Sequence, residues 1–239
     1  AHARRCERPF QKSLVVRYPF ERRGRDPRLQ EKNQQLADGE IFETLSKTQQ
    51  KVITDALREF NLSGIGLEGA DKKRYGEIVT RLSELGSSFG NNLLDATNAF
   101  SVNIIDEQEI QSLPDSIKEA AQALAQSQEK EGWLFTLDIP SYLPVMMYCD
   151  NRELREKLYR AYVTRASEIG PTGDEFDNSE IMSETLALRH ELANLLGFDN
   201  YADKSLATKM ANSKEQVVNF LEDLASKSKN QGEKDFEEI

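Results

Sequence analysis

Residues 73–96, Lys-Arg-Tyr-Gly-Glu-Ile-Val-Thr-Arg-Leu-Ser-Glu-Leu-Gly-Ser-Ser-Phe-Gly-Asn-Asn-Leu-Leu-Asp-Ala, decide the fold class. Tyr75, Ile78, Val79, Leu82, Leu85, Phe89, Leu93 and Ala96 recur three or four residues apart, which puts them on one face of a long helix. Upstream, Phe42, Leu45, Gln49, Val52, Ile53, Ala56, Leu57 and Phe60 repeat that spacing. Ser63-Gly64-Ile65-Gly66 separates the two stripes. A connection this short predicts an antiparallel helix pair.

Downstream the period changes. Phe100-Ser-Val-Asn-Ile-Ile105 alternates apolar and polar residues, which predicts a strand. Leu113-Pro114-Asp115 opens a short helix over 115–127, and Gly132 introduces a β-rich run, Trp133–Ile139, that Pro140 ends. The two β segments are expected to form a small antiparallel sheet. After Pro144 the apolar run Val145–Tyr148 starts the next helical region. Asp150 or Asn151 can cap a helix carrying Leu154, Leu158, Ala161 and Tyr162, with Asp150 and Glu153 spaced as a capping box. Gly170-Pro171-Thr172-Gly173 is a loop, and a helix with Ile181, Thr185, Leu188, Leu192, Leu195 and Leu196 on one side stops at Gly197. Ser213 with Gln216 caps a last helix bearing Val217, Phe220, Leu221 and Leu224, which runs to Ile239 with no stop signal, as if cut inside a helix. The fold expected is mainly α, an antiparallel helical bundle with a small antiparallel sheet.

The 239 residues are 38% hydrophobic and 30% charged, enough to bury a core. No run approaches the roughly 18 apolar residues of a membrane span, so an integral membrane protein is not expected. Two cysteines, Cys6 and Cys149, make no disulfide scaffold and point to a reducing compartment. The net charge of −10 is uneven: residues 1–28 hold nine bases against three acids, and the remainder 22 against 38. An acidic body repels phosphate, so nucleic acid is not an expected partner. The basic stretch is read as a leader over 1–35, outside the packed region of 36–239. An organelle transit peptide is disfavoured because Pro9, Pro19 and Pro27 interrupt it without helical periodicity. A nucleic-acid arm is disfavoured likewise. Without an initiator Met, the chain is expected to be a processed product or a fragment.

Motifs that could carry chemistry are few. Gly86-Ser87-Ser88-Phe89-Gly90 fits G-x-S-x-G, but it lies inside the helical stripe with no strand before it. It is read as small residues where helices pack closely. His190-Glu191 begins like H-E-x-x-H, but Asn194 stands where the second histidine would be, and His2 is the only other one. His190 is therefore read as a surface residue. Cys149 beside Asp150 has no histidine base nearby and reads as a buried, inert thiol. The acidic loop Asp174-Glu175-Phe176-Asp177 lacks the spacing of a calcium loop. Trp133, Tyr142 and Tyr148 read as core around the sheet. These residues by themselves specify no catalytic or metal-binding set.

Longer motifs carry a resemblance. Residues 73–85 with Phe89, Asn91-Asn92 and Leu94-Asp95-Ala96 are similar to the thimet oligopeptidase family of zinc metallopeptidases. So are Asp138–Met146, Asn151–Glu156, Arg165-Ala166-Ser167, Asn178–Ile181, Leu188–Ala193, Leu195–Phe198, Tyr201-Ala202 and Lys209-Met210-Ala211. The likeness is to the bacterial oligopeptidases of that family and runs from about Leu36 to the end; dipeptidyl carboxypeptidases share the second half more loosely. Residues 1–35 do not share it.

The resemblance implies a cytoplasmic enzyme that cuts short peptides in a channel between two helical halves. It implies one zinc, held by the two histidines of H-E-x-x-H and a distant Glu, with the motif Glu activating water. None of these has a counterpart in this chain. The match falls in the N-terminal half, a channel wall, so catalytic and metal-binding residues are none here and the substrate-binding ones are unknown. The expected partners are short peptides and a C-terminal catalytic half, with no nucleic acid and no membrane. The isolated chain is expected to be inactive. The alternative is a catalytically inactive helical interaction or regulatory module.

Overall fold

The computed structural model describes residues 27–238. Its helices are α1 (Pro27–Asp38), α2 (Ile41–Thr44), α3 (Lys47–Leu62), α4 (Gly69–Asn98), α5 (Asp115–Ser127), α6 (Ile139–Tyr148), α7 (Arg152–Val163), α8 (Ser179–Leu195), α9 (Tyr201–Leu206) and α10 (Lys214–Glu237). Two strands, β1 (Ser101–Ile104) and β2 (Trp133–Thr136), pair antiparallel, with Val102 opposite Phe135 and Ile104 opposite Trp133. The expected mainly α fold with a small antiparallel sheet is what forms. Contacts divide the described residues into two compact units, one of 27–75 with 193–238, the other of 76–192.

In the first unit the stripe that starts at Phe42 is two helices. Ser46 separates them: its hydroxyl accepts from the Gln49 amide while the Gln49 side chain accepts from the Ser46 amide, a capping box that starts α3 afresh. Ile53 and Phe60 are buried from this stripe, whereas Val52 is exposed. The helix packed on α3 within its unit is α1, where the sequence pointed to the helix that follows. Gln30 of α1 reaches Asn61 of α3 at 3.5 Å. Helix α1 begins at Pro27, so residues 27–35 of the expected leader are helical, and residues 1–26 lie outside the described residues. The turn after α3 depends on Gly64, at φ +70°, because the Tyr75 ring would stand 2.9 Å from a Cβ there. Tyr75 donates its hydroxyl to the Leu62 carbonyl at 3.1 Å, fastening that turn.

The second unit is built on the sheet. β1 alternates exposed and buried residues, but β2 buries both Leu134 and Phe135, because α5 and α6 pack against it. Val102, Ile110, Leu113, Phe135, Leu137, Val145, Leu154 and Leu158 belong to one core cluster. Pro140 does not merely end a strand. It lies in the first turn of α6, where a missing N–H costs nothing, and Pro144 sits inside that helix rather than ahead of it. For α7 the cap is Asn151, which accepts from the Leu154 amide at 3.1 Å, so the expected box of Asp150 and Glu153 does not form. Gly197, at φ +82°, ends the next helix as expected, with the Phe198 amide returning to the Ala193 carbonyl.

Candidate functional site

Each residue considered for chemistry has a definite place. Ser87 and Ser88 lie in the middle of α4 and are exposed, so no nucleophile elbow forms around Gly86–Gly90. The expectation that these small residues mark close helix packing is corrected: a Cβ added at Gly86 or Gly90 would meet nothing within 4 Å among the described residues. The covered side of α4 is instead the line through Ile78, Leu85 and Ala96. His190 is exposed on α8, with Asn194 one turn on. Among the described residues no group of three or more His, Cys, Asp or Glu side chains is placed to hold a metal. The described residues therefore offer no set that fits a catalytic zinc.

Cys149 is buried, 2% exposed, with its sulfur 3.6 Å from the Glu109 carbonyl. Among the aromatics, Tyr142 is buried and Trp133 packs partly buried against the core, but Tyr148 is about half exposed, which removes it from the core. Tyr142 stacks on Tyr162 with centroids 4.1 Å apart. Arg165 lies over the other side of this stack, 3.8 Å from the Tyr162 centroid, and donates to the Tyr162 carbonyl and to Thr97 at 3.0 Å. Burial pushes the Tyr142 phenol above its usual pKa. The acidic loop forms a short 3-10 turn over Gly173–Phe176.

Two links hold α4 to α8 and the segment before it. Arg81 donates from Nε and Nη2 to the two carboxylate oxygens of Glu184, at 2.6 and 2.8 Å. This hydrogen bond lowers the Glu184 pKa and raises that of Arg81. Asn178 is the buried polar residue of the unit: it accepts from Asn92 at 3.0 Å, donates to the Phe89 carbonyl at 3.2 Å, and its backbone amide bonds Ala166. The sequence reading saw Asn92 and Asn178 only as parts of longer motifs. Their mutual amide bond has no signature in a single sequence.

An open groove of about 610 Å³ lies on one flank of α7, with Met146 of α6 in its lining. The joint between α6 and α7 frames it. Asp150 donates its amide to Ser112 at 2.8 Å, Asn151 reaches the Glu109 carboxylate at 3.2 Å, and Arg155 donates to the Cys149 carbonyl. Sequence reasoning missed this groove. Its signal was Arg152, Arg155, Tyr159, Arg160 and Val163 on neighbouring turns of one helix.

The model of peptidase family M3 matches residues 145–239. Oligopeptidase A of Salmonella typhimurium and that of Escherichia coli are each 56% identical over 204 residues, covering 85% of this chain and 30% of theirs. The probable cytosolic oligopeptidase A of Arabidopsis thaliana is 40% identical over 215 residues, covering 80% of this chain and 30% of its own. The chain thus spans about a third of the length of these relatives. No helix among the described residues is long and apolar enough to cross a membrane. On the identity to these relatives over most of its length, the chain belongs to the thimet oligopeptidase family, peptidase family M3, and resembles its oligopeptidase A members.

Proposed function

We propose that this chain is part of the N-terminal, channel-wall half of a cytoplasmic zinc oligopeptidase that hydrolyses short peptides. The zinc, its ligands and the general base belong to a catalytic half that this chain does not contain. The observation that carries the reading is the 56% identity over 204 residues, which make up only 30% of those relatives. Helix α10 adds support. None of its residues is buried, and Phe220, Leu221 and Leu224 stay more than half exposed at helical spacing. A face of that kind gains stability only when further protein covers it.

The second reading, an inactive helical interaction module, draws on the same exposed face. Sequencing the coding DNA on both sides separates the two. An in-frame H-E-x-x-H downstream is the expected result. A stop codon directly after Ile239 would overturn the oligopeptidase reading and favour the interaction module.

A further inference from the structure

The body of the chain is strongly acidic, yet the groove along α7 is lined by three arginines, Arg152, Arg155 and Arg160. One acid, Glu156, shares the lining, and it is occupied by Arg160 at 2.8 Å. Arg152 is exposed and makes no hydrogen bond or ion pair with another described residue. Arg155 bonds the carbonyl of Cys149, a neutral partner that orients the guanidinium without cancelling its charge. Two uncompensated guanidinium groups, three residues apart, thus face one concavity. Arg152 also stands at the first position of α7, where the helix end is itself positive and a cation is unfavourable. Glu153 offsets part of this from the adjacent position, but it does not line the groove. An anion in the groove would be favoured by both arginines and by the helix end.

The remaining walls choose among anions. Met146, Val163 and Tyr159 supply apolar and aromatic surface beside the arginines, and Val163 and Tyr159 are each about half exposed. An inorganic anion would leave these walls wet. A carboxylate with an apolar side chain next to it uses both halves of the lining, and 610 Å³ lies within the range of about 300–1,000 Å³ of small-ligand sites. We propose that this groove is a subsite for a peptide carboxylate flanked by an apolar residue, with Arg152 and Arg155 as the carboxylate clamp. The inference rests on the reading of short peptides as ligands. The carboxylate has two possible sources, the free C-terminus of a peptide or an Asp or Glu side chain.

The test is an amide NMR titration of the 239-residue chain at low salt with three probes: acetyl-Ala-Ala-Phe with a free carboxylate, its C-terminal amide, and acetyl-Ala-Asp-Phe amide. Saturable shifts confined to residues 146–164 are expected with the free acid, the Asp peptide or both, and which of them binds names the source. The Ala-Ala-Phe amide is expected not to bind. Arg152→Gln should weaken carboxylate binding about tenfold, the worth of one charge-assisted hydrogen bond. Because Arg152 is exposed and has no polar partner among the described residues, that change leaves the fold intact. The subsite is overturned if the uncharged amide binds as tightly as the acid, if Arg152→Gln changes nothing, or if no probe saturates below about 10 mM. The readout needs no hydrolysis. Absence of peptide cleavage by the complete protein would therefore sink the peptidase reading and leave this one standing, and the reverse also holds.

Discussion

Gly132 opens β2 at φ +82°, and a Cβ there would fall inside van der Waals contact of the Ile104 carbonyl across the sheet. Conformation and space both exclude a side chain. Gly132→Ala should therefore lower stability by at least ~2 kcal/mol in a urea melt; a loss under ~0.5 kcal/mol, the scale of an indifferent surface change, would show that the strand pairing is misassigned. Glu184 gives a pH prediction. Its hydrogen bond from Arg81 holds the folded pKa below the ordinary 4.5, so the pair contributes stability above that value and loses it as pH falls through the folded pKa. An NMR titration of the Glu184 carboxyl should give a midpoint below 4.5 that returns to it in Arg81→Met; a midpoint at or above 4.5 in the parent chain contradicts the pair. At this scale the sequence was partly legible. Gly132 and Gly197 announced themselves as breaks, because glycine beside a periodic run is a local signal. The Arg81–Glu184 and Asn92–Asn178 links join residues 103 and 86 positions apart, and no local rule reaches that far.

Among the elements, α4 shows how periodicity can mark a helix yet mislead about its neighbours. Its apolar stripe placed the helix and three of its buried residues, but the run of small residues on another face was read as a close contact. In the structure that face is open. Gly86→Ala and Gly90→Ala should therefore each stabilise the 239-residue chain by about 0.5–1 kcal/mol, the helix-propensity gain. Destabilisation by either, seen as a lower melting temperature, would show that the face is covered after all. The boundaries that moved did so for local reasons. Ser46 bonded with Gln49 restarts a helix that the stripe ran through, and Pro140 begins α6 rather than only closing a strand. Helix α1 went unread because Pro27 and the preceding arginines resemble a tail in composition, while its contact with α3 is a tertiary fact. The α7 groove was hidden differently: the arginines were visible, but their convergence with Met146 depends on how α6 turns into α7.

For the whole molecule, the long family motifs carried more than composition or periodicity could, and the relatives' identity supports them over most of the chain. On the proposed reading, the chemistry they imply lies outside these residues. The wall reading ties this together with the uncovered faces of α4 and α10. The most direct test is zinc-dependent hydrolysis of a quenched fluorescent peptide by the complete gene product and by the 239-residue chain side by side. The account predicts chelator-sensitive cleavage by the complete protein and none by the chain alone. Zinc-dependent cleavage by the chain alone, or no cleavage by the complete protein, would contradict it.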